Sequence, residues 1–234
     1  ITSFGPRYGI TSPLQQLVGD YPYVLSRYSR LYNLANEGKL KTSMKIANIK
    51  RVSPVFNLFS LKYLVLNSER ALDIPGFYEV FNNGVLTVLK NEYAKQRVYI
   101  PQSIKIVDEE DEALRGVFEL PSIRGEQIVV ERESVAALAY AYESLLHGAD
   151  PGETVEITDY RPNTIRIRAR LNADAWLILT DTFYPGWKAT IDGQSELAVV
   201  PGNYVFRAIY VPEGAHEIVF HYRPTYFFVC VTIS

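Results

Sequence analysis

The chain is poor in the side chains that most often carry chemistry. In 234 residues it has one cysteine, Cys230, and three histidines, His147, His216 and His221. A single cysteine excludes an internal disulfide framework and any cysteine-based zinc cluster. His147 has no ligand spacing to the other two, and His216 and His221, five apart, fall on opposite faces of a regular strand. A basic excess is missing as well. Lys and Arg number 24 against 26 Asp and Glu, a net charge of −2, which disfavours a nucleic-acid partner. There is no Gly-x-Ser-x-Gly elbow and no Gly-rich phosphate loop, so no catalytic residue, metal ligand or cofactor is assigned. The opening "ITSFGPRYGI" has no leader character and reads as the start of a segment taken from a longer chain. No apolar run reaches the roughly 20 residues of a spanning helix. The C-terminal "RPTYFFVCVTIS" is either a last buried strand or the first turns of a membrane helix.

Aromatics, by contrast, make up 13% of the chain, with 17 tyrosines. Tyrosine suits strands and sheet surfaces, and equally surfaces that contact sugars or proteins. The first 150 residues alternate helix and strand signals. "TSPLQQLVG" has a Ser-Pro start and a Gly stop. In "VLSRYSRLYNLANEG", Val24, Tyr28, Leu31, Tyr32 and Ala35 recur at helical steps, with Gly38 as terminator. "SPVFNLFSL" predicts a short helix near Val55–Phe59, and "LKYLVLN" a buried strand. "FYEVFNNGVLTVLKN" places Asn83-Gly84 between two alternating runs, a hairpin signal. "RVYIPQSIKIV" predicts one more strand, pushed toward an edge by Pro101. The run Asp108–Glu112 is contiguous, so its carboxylates fan around a helix start and do not converge on one ion. "SVAALAYAYESLLHG" predicts a helix over Ser134–His147.

From Glu153 the pattern becomes one of short alternating runs separated by Pro, Gly, Asn and Asp. "TIRIRARL" puts Ile165, Ile167, Ala169 and Leu171 on one face and Arg166, Arg168 and Arg170 on the other. The expected fold class is α+β: an antiparallel β-sandwich over 151–224 and a mixed helix and strand portion over 1–150, with "HGADPGE" as the boundary. Within this region, "TDTFYPGWKATIDGQ" combines two turn signals. Pro185 presets the first central residue of a tight turn and Gly186 takes the positive φ of the next, while Asp192-Gly193 suits a two-residue hairpin turn.

"LTDTFYPGWKATIDG" followed by "NYVFRAIYVPEGAHEIVFHYRP" resembles the C-terminal extracytoplasmic region of YfhO-like bacterial membrane proteins. "SRYSRLYNL" and "FNLFSLKYLVL" resemble that family's helix and its Lys-Tyr strand. "LKNEYAKQRVYIP" departs from the family pattern at Lys95-Gln96, where Leu-Pro is usual. The resemblance implies a polytopic parent of the GT-C glycosyltransferase type, acting on lipid-linked sugars. This chain would then be an accessory domain on the extracytoplasmic side of the cell membrane, non-catalytic in isolation. Residues 225–234 would be the stub of a transmembrane helix, and the membrane-spanning part of the same polypeptide a partner. A carbohydrate-binding module and a purely structural surface domain stand as alternatives.

Sugars bind to flat aromatic faces beside planar polar groups. Tyr184, Trp187, Lys188 and Arg207 are the candidate glycan-binding residues. Trp176, inside "AWLIL", reads as core, and Trp187 also as a plug beneath the Pro-Gly turn. Lys188 and Arg207 are expected to face solvent or to pair with Asp181 or Asp192. Asp159, Asp181 and Asp192 all fall near strand ends, where a converging pair would suit glycoside hydrolysis; each also has a turn or strand-end explanation.

Overall fold

The computed structural model describes residues 25–42, 49–67, 74–136 and 152–224. The chain divides into two units, 1–96 and 97–234. The second unit runs across the boundary at 150 expected from the sequence, because residues 98–131 pair into the same sheet as strands from 175–211.

In the first unit the helix Ser26–Glu37 ends where expected. Gly38, at φ 68°, donates its N–H to the Leu34 carbonyl, the left-handed cap that glycine adopts without steric cost. Leu31, Tyr32 and Ala35 are buried. Ser53 accepts a bond from the Val55 N–H and opens a short 3-10 turn at Pro54–Asn57. Rings of Tyr28, Tyr32, Phe56 and Phe59 form one aromatic cluster. Strands β1 (Tyr63–Asn67), β2 (Phe77–Asn82) and β3 (Leu86–Asn91) form an antiparallel sheet in the order β1-β3-β2. The β2–β3 hairpin turns at Asn83-Gly84, with Gly84 at φ 83°. Asn83 Oδ1 accepts from the N–H groups of Val85 and Leu86, at 3.0 and 2.8 Å.

The second unit begins with β4 (Val98–Tyr99) and β5 (Ser103–Val107). Pro101 has no N–H for a ladder, and the single strand expected here is two strands. The acidic run leads into the helix Glu110–Gly116, as anticipated, and Glu110 receives the Tyr204 hydroxyl at 2.8 Å. A second short helix, Leu120–Ile123, leads to β6 (Gln127–Glu131), which pairs in parallel with β5. The helix Arg132–Ala136 follows. The rest of the helix expected over 134–147 lies outside the described residues, as do the one expected in "TSPLQQLVG" and the stub over 225–234.

The remaining strands are β7 (Thr154–Arg161), β8 (Thr164–Leu171), β9 (Ala175–Thr182), β10 (Trp187–Ile191), β11 (Ser195–Leu197), β12 (Val200–Gly202), β13 (Phe206–Val211) and β14 (Gly214–Tyr222). All pairs among them are antiparallel. One sheet has the order β11-β10-β14-β8-β7 and the other β4-β9-β13-β12-β6-β5. Alternate residues of the two sheets meet in one core, including Ile165, Ile167, Leu177, Leu179, Ile209 and Phe220. The α+β class with a β-sandwich is therefore present, and its second sheet draws three strands from the N-terminal side of residue 150. Asn203 ties that addition down. It is fully buried at φ 45°. Its Oδ1 accepts from the Val129 N–H at 2.9 Å and its Nδ2 donates to the Tyr99 hydroxyl at 3.1 Å.

Candidate functional site

The Pro-Gly turn closes one end of the sandwich. The Trp187 N–H reaches the Tyr184 carbonyl at 3.3 Å, and Gly186 sits at φ 104°. The segment leaving β14 crosses directly over it. The Arg223 N–H donates to the Gly186 carbonyl at 2.8 Å, and a Cβ on Gly186 would lie 3.1 Å from both Pro224 Cα and a Tyr222 ring carbon. Glycine is required here twice, for its φ and for its missing side chain.

Strand alternation then sends charge inward at the same end. In β9, Asp181 is in phase with the core residues Ala175, Leu177 and Leu179. In β13, Arg207 is in phase with Ile209 and Val211, and in β10, Trp187 with Ala189 and Ile191. Arg207 is only 6% exposed. Its Nη1 lies 3.4 Å from Asp181 Oδ2, and its Nε donates to the Thr182 carbonyl at 3.1 Å. Arg97 pairs with the other carboxylate oxygen, Asp181 Oδ1. The Tyr160 hydroxyl donates to Asp181 Oδ2 at 3.0 Å and accepts from Arg97 Nη2 at 2.9 Å. Two guanidinium groups thus share one carboxylate. Desolvation pulls the Arg207 guanidinium down to about 10 despite the opposing pull of Asp181. Burial, reinforced by the Asp181 charge, raises the Tyr160 phenol above its usual range.

Aromatic rings complete the layer. The Arg207 guanidinium stacks on Trp187, with Cζ 3.5 Å from the ring centroid, and Arg97 stacks on Tyr160 at 4.5 Å. Tyr222 bridges Trp187 and Tyr184, with centroids 5.4 and 6.3 Å away. Trp187 is partly buried against the core, and Tyr184 is 45% exposed.

Of the candidate residues, Tyr184, Trp187 and Arg207 come together. Lys188 does not join them. Its neighbours Trp187 and Ala189 face inward, so its side chain points to the outer face, where Nζ meets Glu196 Oε1 at 2.6 Å. Arg207 is not solvent-facing; it takes the alternative expected for it, the pair with Asp181. Trp176 is buried, edge-on to Tyr210 at 5.7 Å. The three candidate carboxylates are engaged separately. Asp159 meets Arg161 at 2.9 Å, and Asp192 meets His216 at 2.8 Å, at the far end of β10, roughly 17 Å of strand from Trp187. Among the described residues, no group of three or more His, Cys, Asp or Glu could hold a metal ion. No helix among them is long and apolar enough to cross a membrane.

Arg97, Tyr160 and Tyr222 were not anticipated. Tyr222 carried a signal, since it continues the inward phase of Ile218 and Phe220. Arg97 carried none, because its pairing partner lies 84 positions away.

Residues 123–234 match the family model of the bacterial membrane protein YfhO. Comparison with curated proteins and with solved structures gives no match. The matched stretch holds β6 to β14 and every residue of the aromatic and charged end except Arg97, and over that stretch the chain is similar to the YfhO family of bacterial membrane proteins.

Proposed function

We propose that this chain is an extracytoplasmic accessory domain of a membrane protein of this family, without catalysis of its own. Its Tyr184–Trp187 end contacts a glycan or lipid-linked sugar handled by the membrane-spanning part of the same polypeptide. The match of residues 123–234 to a bacterial membrane-protein family supports the setting. The observation that carries the contact surface is the exposed Tyr184 ring beside Trp187, over a guanidinium held from below by Asp181. Sugar rings lay their C–H faces on such aromatics, and a platform fixed before binding loses little entropy when a ligand arrives. Arg207, being buried, positions Trp187; the polar contact falls to Arg97, whose side chain is 29% exposed.

The test is titration of oligosaccharides into the chain, followed by calorimetry, with Tyr184→Ala as the probe. The ring is exposed enough that its loss leaves the fold intact. Loss of sugar binding in Tyr184→Ala with an unchanged thermal midpoint supports the reading. A wild-type chain that binds no oligosaccharide favours the second reading, a structural surface domain. That reading draws on the packing of Trp187 between the core and Arg207.

A further inference from the structure

The three-stranded sheet of the first unit carries apolar side chains on its outward face. On the buried side, Leu64, Leu66 and Leu89 stand with the polar Thr87 and Asn91. The register sets Tyr63 opposite Lys90, and Lys90 opposite Tyr78, so these three share the outward face. Val65, Val88 and Phe81 align in the same way. β2 lies beyond the buried part of the sheet, and its residues from Tyr78 to Asn82 are all exposed. Its inward positions are Phe77, at the half-buried end, and then the polar Glu79 and Asn82; its outward positions are Tyr78 and Phe81, with Val80 in the bulge between Glu79 and Phe81. A half-solvated antiparallel strand ordinarily shows the opposite arrangement, apolar inward and polar outward. Tyr63, Tyr78 and Phe81 keep 50%, 45% and 51% of their surface exposed.

The charges on this face have one sign. Lys62 Nζ lies 5.9 Å from the Tyr63 ring centroid and Lys90 Nζ 5.7 Å from that of Tyr78. The outward positions of the three strands carry no carboxylate. The footprint is small. Three strands of about five residues cover roughly 14 by 17 Å, or about 240 Å². A stable pair of protein chains buries about 800 Å² on each partner, so a second copy would be held too weakly by this face alone. A lipid surface needs no complementary shape. Tyrosine and phenylalanine rings flanked by lysines are the side chains that settle at a bilayer interface, with rings at headgroup depth and ammonium groups at the phosphates. The similarity of residues 123–234 to a bacterial membrane-protein family brings such a surface within reach.

We propose that the outward face of the β1-β3-β2 sheet docks on an anionic lipid surface through Tyr63, Tyr78 and Phe81, with Lys62 and Lys90 meeting headgroup phosphates. It uses no residue of the sandwich end, so it stands independently of the glycan reading. The experiment mixes the full chain with vesicles of phosphatidylcholine alone, or of phosphatidylcholine with a quarter phosphatidylglycerol. Phe81→Trp serves as reporter, and wild-type emission from Trp176 and Trp187 is subtracted. The expected result is a blue shift and quenching by brominated acyl chains on the anionic vesicles, weakened by salt. The double variant Tyr78→Ser, Phe81→Ser partitions at least about fivefold less, and Glu79→Gln, on the opposite side of the sheet, partitions as wild type does. Vesicle binding without quenching of the Phe81→Trp signal overturns the proposal, because another segment then makes the contact. So does a failure to partition, or a dimer in sedimentation equilibrium that Phe81→Ser dissolves.

Discussion

Arg207 and Trp187 belong to different sheets of the sandwich, and the guanidinium carbon of one lies 3.5 Å from the ring centroid of the other. The stack joins β13 to β10 across the layer interface at the end where the β9–β10 turn and the segment leaving β14 meet. Because Asp181 holds the same guanidinium, aromatic and ionic contacts there are coupled.

Charge arithmetic predicts the order of substitutions in that layer. Arg207→Met leaves Arg97 and Asp181 as a balanced pair. Asp181→Asn leaves two guanidinium groups facing each other with no anion between them. Removing one partner of a buried pair costs about 3–5 kcal/mol, and Asp181→Asn is expected at or above that range. Arg207→Met is expected to cost less. Urea denaturation of both variants checks the order; equal losses would show that the count of charges does not govern this end.

Trp187→Ala is expected to cost about 3 kcal/mol, the lower part of the range for a large aromatic, because the ring keeps some exposure. A double-mutant cycle with Arg207→Met should return a coupling of about 1–2 kcal/mol for the stack. Additive losses would place the ring's contribution in core packing alone.

The two turn glycines should respond differently. Gly186→Ala meets the Pro224 backbone and the Tyr222 ring at a positive φ and should cost about 1–3 kcal/mol. Gly193, at φ 68° in the Asp192-Gly193 turn, has open space where a Cβ would stand. Gly193→Asn should therefore cost only a few tenths of a kcal/mol, since asparagine tolerates the left-handed region. Thermal melts of the two variants side by side give the comparison.

Asn203→Ala removes the acceptor of the buried Val129 N–H and the donor to Tyr99 at once. Leaving buried polar groups unpaired costs about 1–3 kcal/mol each, so a loss of about 2–4 kcal/mol is expected. Amide exchange at Val129 should rise with it. Unchanged protection there would mean that β6 is held by other contacts.

His216 makes the stability depend on pH at the opposite end of the sandwich. Burial alone would lower its pKa, but Asp192 Oδ2 at 2.8 Å from Nδ1 and the Glu213 carbonyl at 3.1 Å from Nε2 bring it above the ordinary 6.5. A raised folded-state pKa adds stability that is complete below 6.5 and is lost as pH climbs through the folded value. The wild-type melting temperature should fall, relative to His216→Gln, as pH rises from below 6.5 through the folded value. The hydrogen bonds from His216 and the Glu217 N–H lower the Asp192 pKa, so its contribution is lost only in acid, as pH falls through its own folded-state value. Parallel curves for the two proteins in the neutral window would show that the pair adds nothing to folding.

Local chemistry made much of this protein legible in advance. The period-two alternation in "TIRIRARL" set the inward faces of β8, and Asn83-Gly84, Pro185-Gly186 and Asp192-Gly193 turned where their φ preferences allow. The motif "TDTFYPGWKATIDG" carried the resemblance to the family whose model matches residues 123–234. These are properties of a few neighbouring residues. Alternation says which residues share a face, but it is silent about which strand lies alongside or across. That is why the boundary expected at 150 differed from the observed units: β4 and β6 join β9 and β12 through hydrogen bonds between segments remote in sequence. For the same reason Arg97 reaching Asp181 and Tyr160 closing from the other sheet were settled by tertiary structure. Only the pairing of strands and the stacking of the two sheets bring those side chains within range of one another.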